Sequence, residues 1–506
     1  MGRVRLCRLP GSAAVSLAAF ALALGGCAIN PVSKRPELVT RTAGSERDLG
    51  AREAQKVEHF IGYAGDRHLQ AYVSQIGSRL AKFSPRQDVD YQFRVVDMVE
   101  PNAFALPGGF VYVSRGLLAL CNSEAELANV LGHELAHVAA RHSMQQETRG
   151  VLMSPITLVT GIAGAATSIV SPTLGGAVAG VGTFAGQLVM APYSRDQERE
   201  ADRIGMNVAA EAGWDPVGMA GFLTTLEREL TLVHGREANK TSFFDSHPST
   251  PERISNARAL AGEIEIAEPF AIAATRRAFY GKLDGLVVGD DPSEGVLVPG
   301  GFVQPVLDFR LDFPKGWLSQ NMRHQVAAMA PDGEAYWVME ALTEGDDPLV
   351  AADAVKGRIG FNLTDVQRAT INGLPAARLT MRARTSGAAV MLDLTWIAHH
   401  NVVYQMGGVT PASKFDVYRE PLLGISESFR PLDVSEIADL RVSRIRTVDA
   451  RAGESLERLL DRSNSGWGPA QAAVANAIES GASLEGGRPV KVAVDQPFDG
   501  EVRRAR

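Results

Sequence analysis

Ser123-Glu124-Ala125-Glu126-Leu127-Ala128-Asn129-Val130-Leu131-Gly132-His133-Glu134-Leu135-Ala136-His137-Val138 is the stretch on which the reading of this chain turns. Ser123 followed by Glu126 is a capping-box start. Leu127, Val130, Leu131 and Val138 then supply one apolar face, so a helix is predicted from Ser123 to about Gln146. Inside it, His133 and His137 stand four residues apart, one turn along the same face, where two imidazoles can share one Zn²⁺. Glu134 is rotated about 100° from His133. It can reach a water that the ion has acidified, as a general base would, without binding the ion strongly itself.

A catalytic zinc needs a third protein ligand and an open position. Glu198-Arg199-Glu200-Ala201-Asp202 is the candidate source, on a second predicted helix from Tyr193 to Gly213. By spacing alone Glu198 and Glu200 both qualify. Asp202, one turn after Glu198, can accept a ring N–H from a ligand histidine, His133 in particular, and fix its tautomer.

The 506 residues are 45% hydrophobic and 22% charged, enough for several domains with real cores. The net charge of −7 carries no basic excess, which argues against nucleic-acid binding. Arg3, Arg5 and Arg8 precede an apolar run from Ala13 to Leu24 and the sequence Leu24-Gly25-Gly26-Cys27. That is a secretory signal, residues 1–26. Its ending resembles a bacterial lipobox, which implies lipidation at Cys27. Removing residues 1–26 takes three arginines and no acids, so the charge would go from −7 to −10. Cys121 would then be the one free thiol, read as a small buried hydrophobe.

Residues 27–44 read as a tether, 45–262 as the domain carrying the histidines, 263–300 as a helical linker (with a helix from Pro269 to about Leu283), 301–432 as a small α+β domain, 433–494 as a short β-α-α-β unit and 495–506 as a tail. Gly150 to Ser194 contains no Asp, Glu, Lys or Arg; prolines and glycines interrupt it, favouring buried or interface-lying helices over a membrane hairpin. In the α+β domain, Leu307–Phe313, Ala335–Leu342 and Met391–Ala398 read as strands. Leu349–Ile359 and Lys414–Ser428 read as helices, and Asn372-Gly373 and His400-Asn401 as turns. His142 is expected on the surface, His399 and His400 at a turn without a metal role, and Trp317, Trp337 and Trp396 in the core. Arg444 to Val448 followed by Gly453-Glu454-Ser455 loosely resembles LysM carbohydrate-binding modules; such a unit would touch peptidoglycan, and the alternative is a small packing domain with no glycan site.

Asn102-Ala103-Phe104-Ala105-Leu106-Pro107-Gly108-Gly109, Arg115-Gly116-Leu117-Leu118, Gly132 to His137, Tyr193-Ser194-Arg195, Glu198 to Asp202, His247-Pro248 and Arg253-Ile254 occur in that order. Together they resemble the gluzincin pattern of the CAAX-prenyl-protease-like and HtpX-like zinc metalloendopeptidases, in particular the soluble lipoprotein type that assists β-barrel assembly. The resemblance covers about residues 45–260 and implies a mainly helical α+β metalloprotease domain. It assigns one Zn²⁺ per subunit to His133, His137 and Glu198, and the general base to Glu134. It places the cleft edge on the strand from Gly108 to Val113, preceded by Asn102 and Ala103. It also suggests a gate, in which His247 either caps the metal as a fourth ligand or stabilises the oxyanion; the alternative is a loop histidine that caps the next helix. Arg253 would aid the oxyanion or pair with Asp202. The expected protein is a periplasmic, lipid-anchored, outer-membrane endopeptidase that clears misfolded or stalled exported proteins. The alternative is a gated envelope chaperone or scaffold. No 34-residue helical repeat is present, so a helical-repeat partner domain is not expected.

Overall fold

The structure is a computed structural model that describes residues 27–32, 34, 36–38, 42–148, 192–234, 243–247, 251–360, 362–384, 389–479 and 481–500. The expected signal peptide and nearly all of the charge-free stretch after Gly150 lie outside the described residues. No helix among the described residues is long and apolar enough to cross a membrane.

Strands β1 (Cys27–Ile29) and β2 (Pro36–Leu38) form a small antiparallel pair. Between them, Asn30 is buried and its Nδ2 donates to Ala140 O at 2.9 Å, so this segment touches the domain that follows. Helix α1 (Ala43–Phe60) is capped by Thr42, and α2 (Arg67–Ala81) by Asp66. Leu69, Tyr72, Val73, Ile76 and Leu80 of α2 are the buried stripe expected from their spacing. Strands β3 (Gln92–Val96), β4 (Ala103–Leu106) and β5 (Phe110–Ser114) make a three-stranded sheet in the order β3-β5-β4, with β3 and β5 parallel.

Helix α3 (Arg115–Leu120) leads to α4 (Glu124–Ala139), whose Ser123 cap accepts from Glu126 N. Helix α4 is shorter than the predicted helix to Gln146. Ala140 caps it, Arg141 takes a left-handed φ of 58°, and a separate α5 (His142–Thr148) begins. Then come α6 (Arg195–Glu211), α7 (Val217–His234), α8 (Phe243–Ser246) and α9 (Pro251–Ala261).

The expected helix from Pro269 to Leu283 is reduced to α10 (Arg276–Lys282). The reason is Glu124. Its buried carboxylate accepts from Ile272 N (2.8 Å), Ala273 N (2.6 Å), Tyr72 Oη (2.8 Å) and Trp214 Nε1 (2.9 Å), which holds the preceding segment extended. Strand β6 (Val287–Val288) follows. The 300/301 boundary falls inside the hairpin of β7 (Val296–Val298) and β8 (Gly301–Gln304), which β9 (Phe309–Asp312) completes.

The α+β domain centres on a seven-stranded antiparallel sheet. Its strands are β10 (Leu318–Met322), β11 (Gln325–Met329), β12 (Tyr336–Glu344), β13 (Gln367–Ile371), β14 (Leu374–Arg384), β15 (Ala389–His399) and β16 (Val402–Pro411), ordered β10-β11-β12-β16-β15-β14-β13. Helix α11 (Pro348–Ile359) packs Ala351, Ala352 and Val355 on one face with Trp396; α12 (Phe415–Glu427) packs Leu422 and Ile425 on the other with Trp337. The turns at Asn372-Gly373 and His400-Asn401 both have positive φ at each central residue, the geometry that joins tight hairpins.

After α13 (Val434–Ala438), the last unit runs β17 (Arg441–Asp449), β18 (Glu454–Ser455), α14 (Leu456–Arg462), α15 (Pro469–Ala475), β19 (Ser483–Leu484) and β20 (Pro489–Pro497). Strand β17 pairs with both β20 and β6. Leu456, Leu459, Leu460 and Val492 belong to the same hydrophobic core as Leu131 and Leu135 of α4. Lys491 is buried in that shared core, and its Nζ donates to Ala119 O and Cys121 O, both at 2.7 Å.

Candidate metal centre

The site is built where α4 crosses α6. Gly132 and Gly205 face each other there. A Cβ on Gly205 would lie 2.6 Å from His133 N, and one on Gly132 would lie 2.8 Å from Gly205 O. Only residues without a side chain let the two backbones approach so closely. The approach brings the first turns of α6 against His133 and His137. Helix α6 begins with a full capping box between Ser194 and Gln197, so Glu198 is held in a well-defined first turn.

His133 Nε2 lies 3.0 Å from His137 Nε2 and 3.6 Å from Glu198 Oε2; His137 Nε2 lies 3.4 Å from Glu198 Oε1. His247 joins them, its Nδ1 3.0 Å from Glu198 Oε1 and 3.2 Å from His133 Nε2. Each of the four offers one ligand atom, all within 4.8 Å of one another and all buried. Glu134 sits beside this group, its Oε1 3.5 Å from His247 Nε2. Both Glu134 oxygens are buried with no hydrogen-bond partner among the described residues, a costly state that a polar occupant of the centre would relieve. Two imidazoles and a carboxylate are donors that suit zinc, so the residues fit such an ion.

Asp202 and Arg253 back the donors. Asp202 Oδ1 is 2.9 Å from His133 Nδ1, the partner expected from the sequence. Arg253 donates to both Asp202 oxygens at 2.7 and 2.8 Å and brings Nη1 to 2.6 Å from Glu198 Oε2. Of the two roles expected of Arg253, the structure shows the pairing with Asp202. Burial alone would raise the Glu198 pKa, but His247 and Arg253 outweigh it and hold the carboxylate well below its usual range. Burial likewise opposes ionisation of Asp202, and Arg253 overcomes it. Burial pushes His137 well below its ordinary pKa, so its imidazole is neutral and free to act as a ligand. Burial pushes Glu134 upward, with His247 and His133 opposing.

His247 reaches the centre from α8. Its ring stacks on Phe243 at 4.3 Å, and Phe243 N donates to Pro101 O at 3.1 Å. Burial alone would lower its pKa, but Glu198 and Glu134 raise it above the ordinary value. Tyr193 stacks on His137 at 3.9 Å.

Two sequence readings are corrected here, and one alternative left open by spacing is closed. His142 is fully buried, not on the surface, because the left-handed turn at Arg141 swings it back toward His137. Glu200 stays out of the donor group; its Oε2 lies 3.2 Å from His142 Nε2. The strand from Phe110 is not a sheet edge: β3 and β4 flank β5 and are the outer strands, and Ala103–Leu106 of β4 are buried. The close approach at Gly132 and Gly205, the Glu124 carboxylate network and the stacking of Tyr193 on His137 are not readable from the sequence motifs; Gly132 beside His133 and Gly205 on the Glu198 helix are the available signal. Asp308, His399 and His400 also converge, with His399 Nε2 2.8 Å from Asp308 O and His400 Nε2 2.9 Å from Asp308 Oδ2, closing the turn between β15 and β16.

A His-Glu-x-x-His helix crossed by a second helix that supplies a carboxylate defines a gluzincin-type metal centre. Residues 67–261 match the model of Peptidase family M48. The chain is 31% identical over 191 residues to Metalloprotease YcaL of Escherichia coli K12, covering 37% of this chain and 70% of that one. It is 29% identical over 247 residues to the Beta-barrel assembly-enhancing protease of the same organism, covering 47% and 49%. It is 32% identical over 230 residues to the Mitochondrial metalloendopeptidase OMA1 of Schizosaccharomyces pombe, covering 44% and 63%. The chain belongs to peptidase family M48, and it spans about half the length of the Beta-barrel assembly-enhancing protease.

Proposed function

We propose that the protein is a zinc-dependent endopeptidase of the bacterial cell envelope, acting on misfolded or stalled exported and outer-membrane proteins. The observation that carries this is the convergence of His133, His137 and Glu198, with the Glu134 carboxylate, which has no hydrogen-bond partner among the described residues, beside them. Zinc, when bound, acidifies water and polarises a peptide carbonyl. His133, His137 and Glu198 would hold it. Asp202 orients His133, and Arg253 keeps both carboxylates ionised. Glu134 takes the proton of the attacking water and passes it to the leaving amine. Its burial raises its affinity for that proton, which suits a base working near neutral pH.

The outer strand β4 is the proposed docking rail, where an extended peptide would add as a strand after displacing the groups that bury Ala103–Leu106. Asn102 precedes it, and its Oδ1 is buried without a hydrogen-bond partner among the described residues, an acceptor for a substrate N–H. Backbone pairing reads no side chains, which suits unfolded substrates. The lipobox at Cys27 supports a lipid-anchored periplasmic location at the outer membrane, and the last unit is the proposed contact with peptidoglycan.

A second reading, a gated chaperone or scaffold, is supported by His247. Its Nδ1 occupies the space among the donors that substrate would need. The test is degradation of casein by the zinc-loaded chain lacking its signal peptide, against Glu134→Gln. Cleavage lost in the variant with zinc retained supports the peptidase. No cleavage by either protein, with His247→Ala then restoring it, supports a gate. No cleavage by any of the three overturns the proposal.

A further inference from the structure

A metal-bound imidazole is oriented by whatever its second nitrogen touches. For His133 that partner is Asp202. Among the described residues, no carboxylate directly contacts the distal side of His137. Its Nε2 faces the other donors, 3.0 Å from His133 Nε2, so its Nδ1 points away from the centre. That Nδ1 lies 2.8 Å from His142 Nδ1, and His142 Nε2 lies 3.2 Å from Glu200 Oε2. Resting on the zinc reading of the site, we infer from these two contacts that His142 and Glu200 are positioning residues for the ligand His137.

The protons settle the direction of the line. A ligand bound through Nε2 leaves the His137 proton on Nδ1, which donates to His142 Nδ1. His142 must then carry its own proton on Nε2, and that proton is donated to Glu200. Each imidazole keeps one proton, each bond has one donor, and both tautomers are set. The packing agrees. His142 is fully buried and meets His137 edge-on, ring centres 4.9 Å apart at 71°, while Tyr193 covers the His137 face. The ring is thus held on one edge and one face. The chain adopts an uncommon left-handed residue, Arg141, to bring His142 there; Glu46 accepts from its Nη2 at 3.3 Å. Helix α6 consequently serves three roles with three acids: Glu198 toward the metal, Asp202 behind His133, and Glu200 behind His142.

The test is zinc affinity by chelator competition, with the Co²⁺ absorption spectrum as a second readout, in the full chain. His142→Leu should weaken zinc about 10- to 100-fold. His142→Asn should recover most of that loss, because its Oδ1 can accept from His137 Nδ1–H as the imidazole did. Glu200→Gln, at a side chain 26% exposed, should weaken zinc about 10-fold, at the low end of that range, without a folding defect. Both weakened variants should shift the Co²⁺ spectrum. Equal affinity for the Leu and Asn variants, or an unchanged value for Glu200→Gln, would overturn the inference. Should His142→Leu fail to fold, the Asn and Gln variants decide it. Failure of the unaltered chain to bind one zinc overturns the metal reading itself, so the two failures are distinguishable.

Discussion

Replacing Gly205 by alanine should damage the metal centre while adding one methyl group, without touching a ligand. The new Cβ would stand 2.6 Å from His133 N, 2.7 Å from Gly132 C and 2.8 Å from His133 Cα. All three atoms are backbone, so none can rotate away. Restoring an ordinary contact of 3.4 Å means moving α6 from α4 by about 0.8 Å. Metal–ligand distances tolerate only about 0.2 Å. Glu198 and Asp202 ride on the moving helix while His133 and His137 stay behind. Stability changes less. Alanine gains about 0.8–1.0 kcal/mol of helix propensity over glycine, and overpacking costs roughly 1–3 kcal/mol, leaving a net loss of about 0–2 kcal/mol. Zinc affinity should fall at least about 10-fold, as in sites held loosely by their supports. The assay is chelator competition beside a thermal melt. The control is Gly281→Ala in α10, where a Cβ meets nothing within 4 Å; it should stabilise by about 0.5–1 kcal/mol and leave zinc alone. A Gly205→Ala protein that binds zinc within threefold of the unaltered chain would refute the argument that the glycine pair sets ligand geometry.

Glu124→Gln should cost about 2–4 kcal/mol, because an amide NH₂ must face donors; Tyr72 Oη can turn to accept, but Ile272 N and Trp214 Nε1, or Ala273 N, cannot. Hydrogen exchange at Ile272 and Ala273 should accelerate, and unchanged protection there would refute the assignment. Burial raises the Asp393 pKa to about 6 in the folded α+β domain, with Arg378 and Thr380 opposing. The folded state therefore holds the proton more tightly than the unfolded chain, and this group's contribution declines as pH rises from about 4 to about 6. Asp393→Asn should accordingly stabilise the domain at pH 7, by up to about 3 kcal/mol, and lose that advantage by pH 4; urea titrations at the two pH values check it. A chain stopped at Leu432 should be insoluble or fail to bind zinc, since Leu456, Leu459 and Leu460 each contribute about 1.5–3 kcal/mol of burial to the core beneath α4. A soluble, zinc-binding truncation would show that the last unit is dispensable.

What was legible in the sequence was local. The cap at Ser123, the His133–His137 spacing, the strands around Trp337 and Trp396 and both hairpin turns are encoded by neighbours a few residues apart, and they appear where expected. Asp202 was also matched to His133, because α4 and α6 each present a regular one-turn repeat. What escaped was set by distant partners. The end of α4 depends on the left-handed Arg141, which Glu46 and Asn30 secure from outside the helix. The extended run before α10 depends on Glu124, about 150 residues earlier (|i−j|=148 to Ile272). Lys491 looks like an ordinary strand lysine, yet its partners lie 372 and 370 residues away. The position of β5 inside its sheet rests on pairing with β3 on one side and β4 on the other, which alternation of side chains does not specify.

Were Cys27 lipidated as proposed, Asn30 would act as a ruler. It sits three residues beyond Cys27 and is fastened to Ala140, the cap of the helix that carries His133 and His137. Three residues of extended chain reach about 10 Å. With acyl chains on Cys27, that cap would ride about one headgroup layer above the bilayer. The protein would then work as a surface-bound blade rather than one on a long leash. Its reach would be confined to polypeptide emerging from, or stalled at, the membrane it stands on.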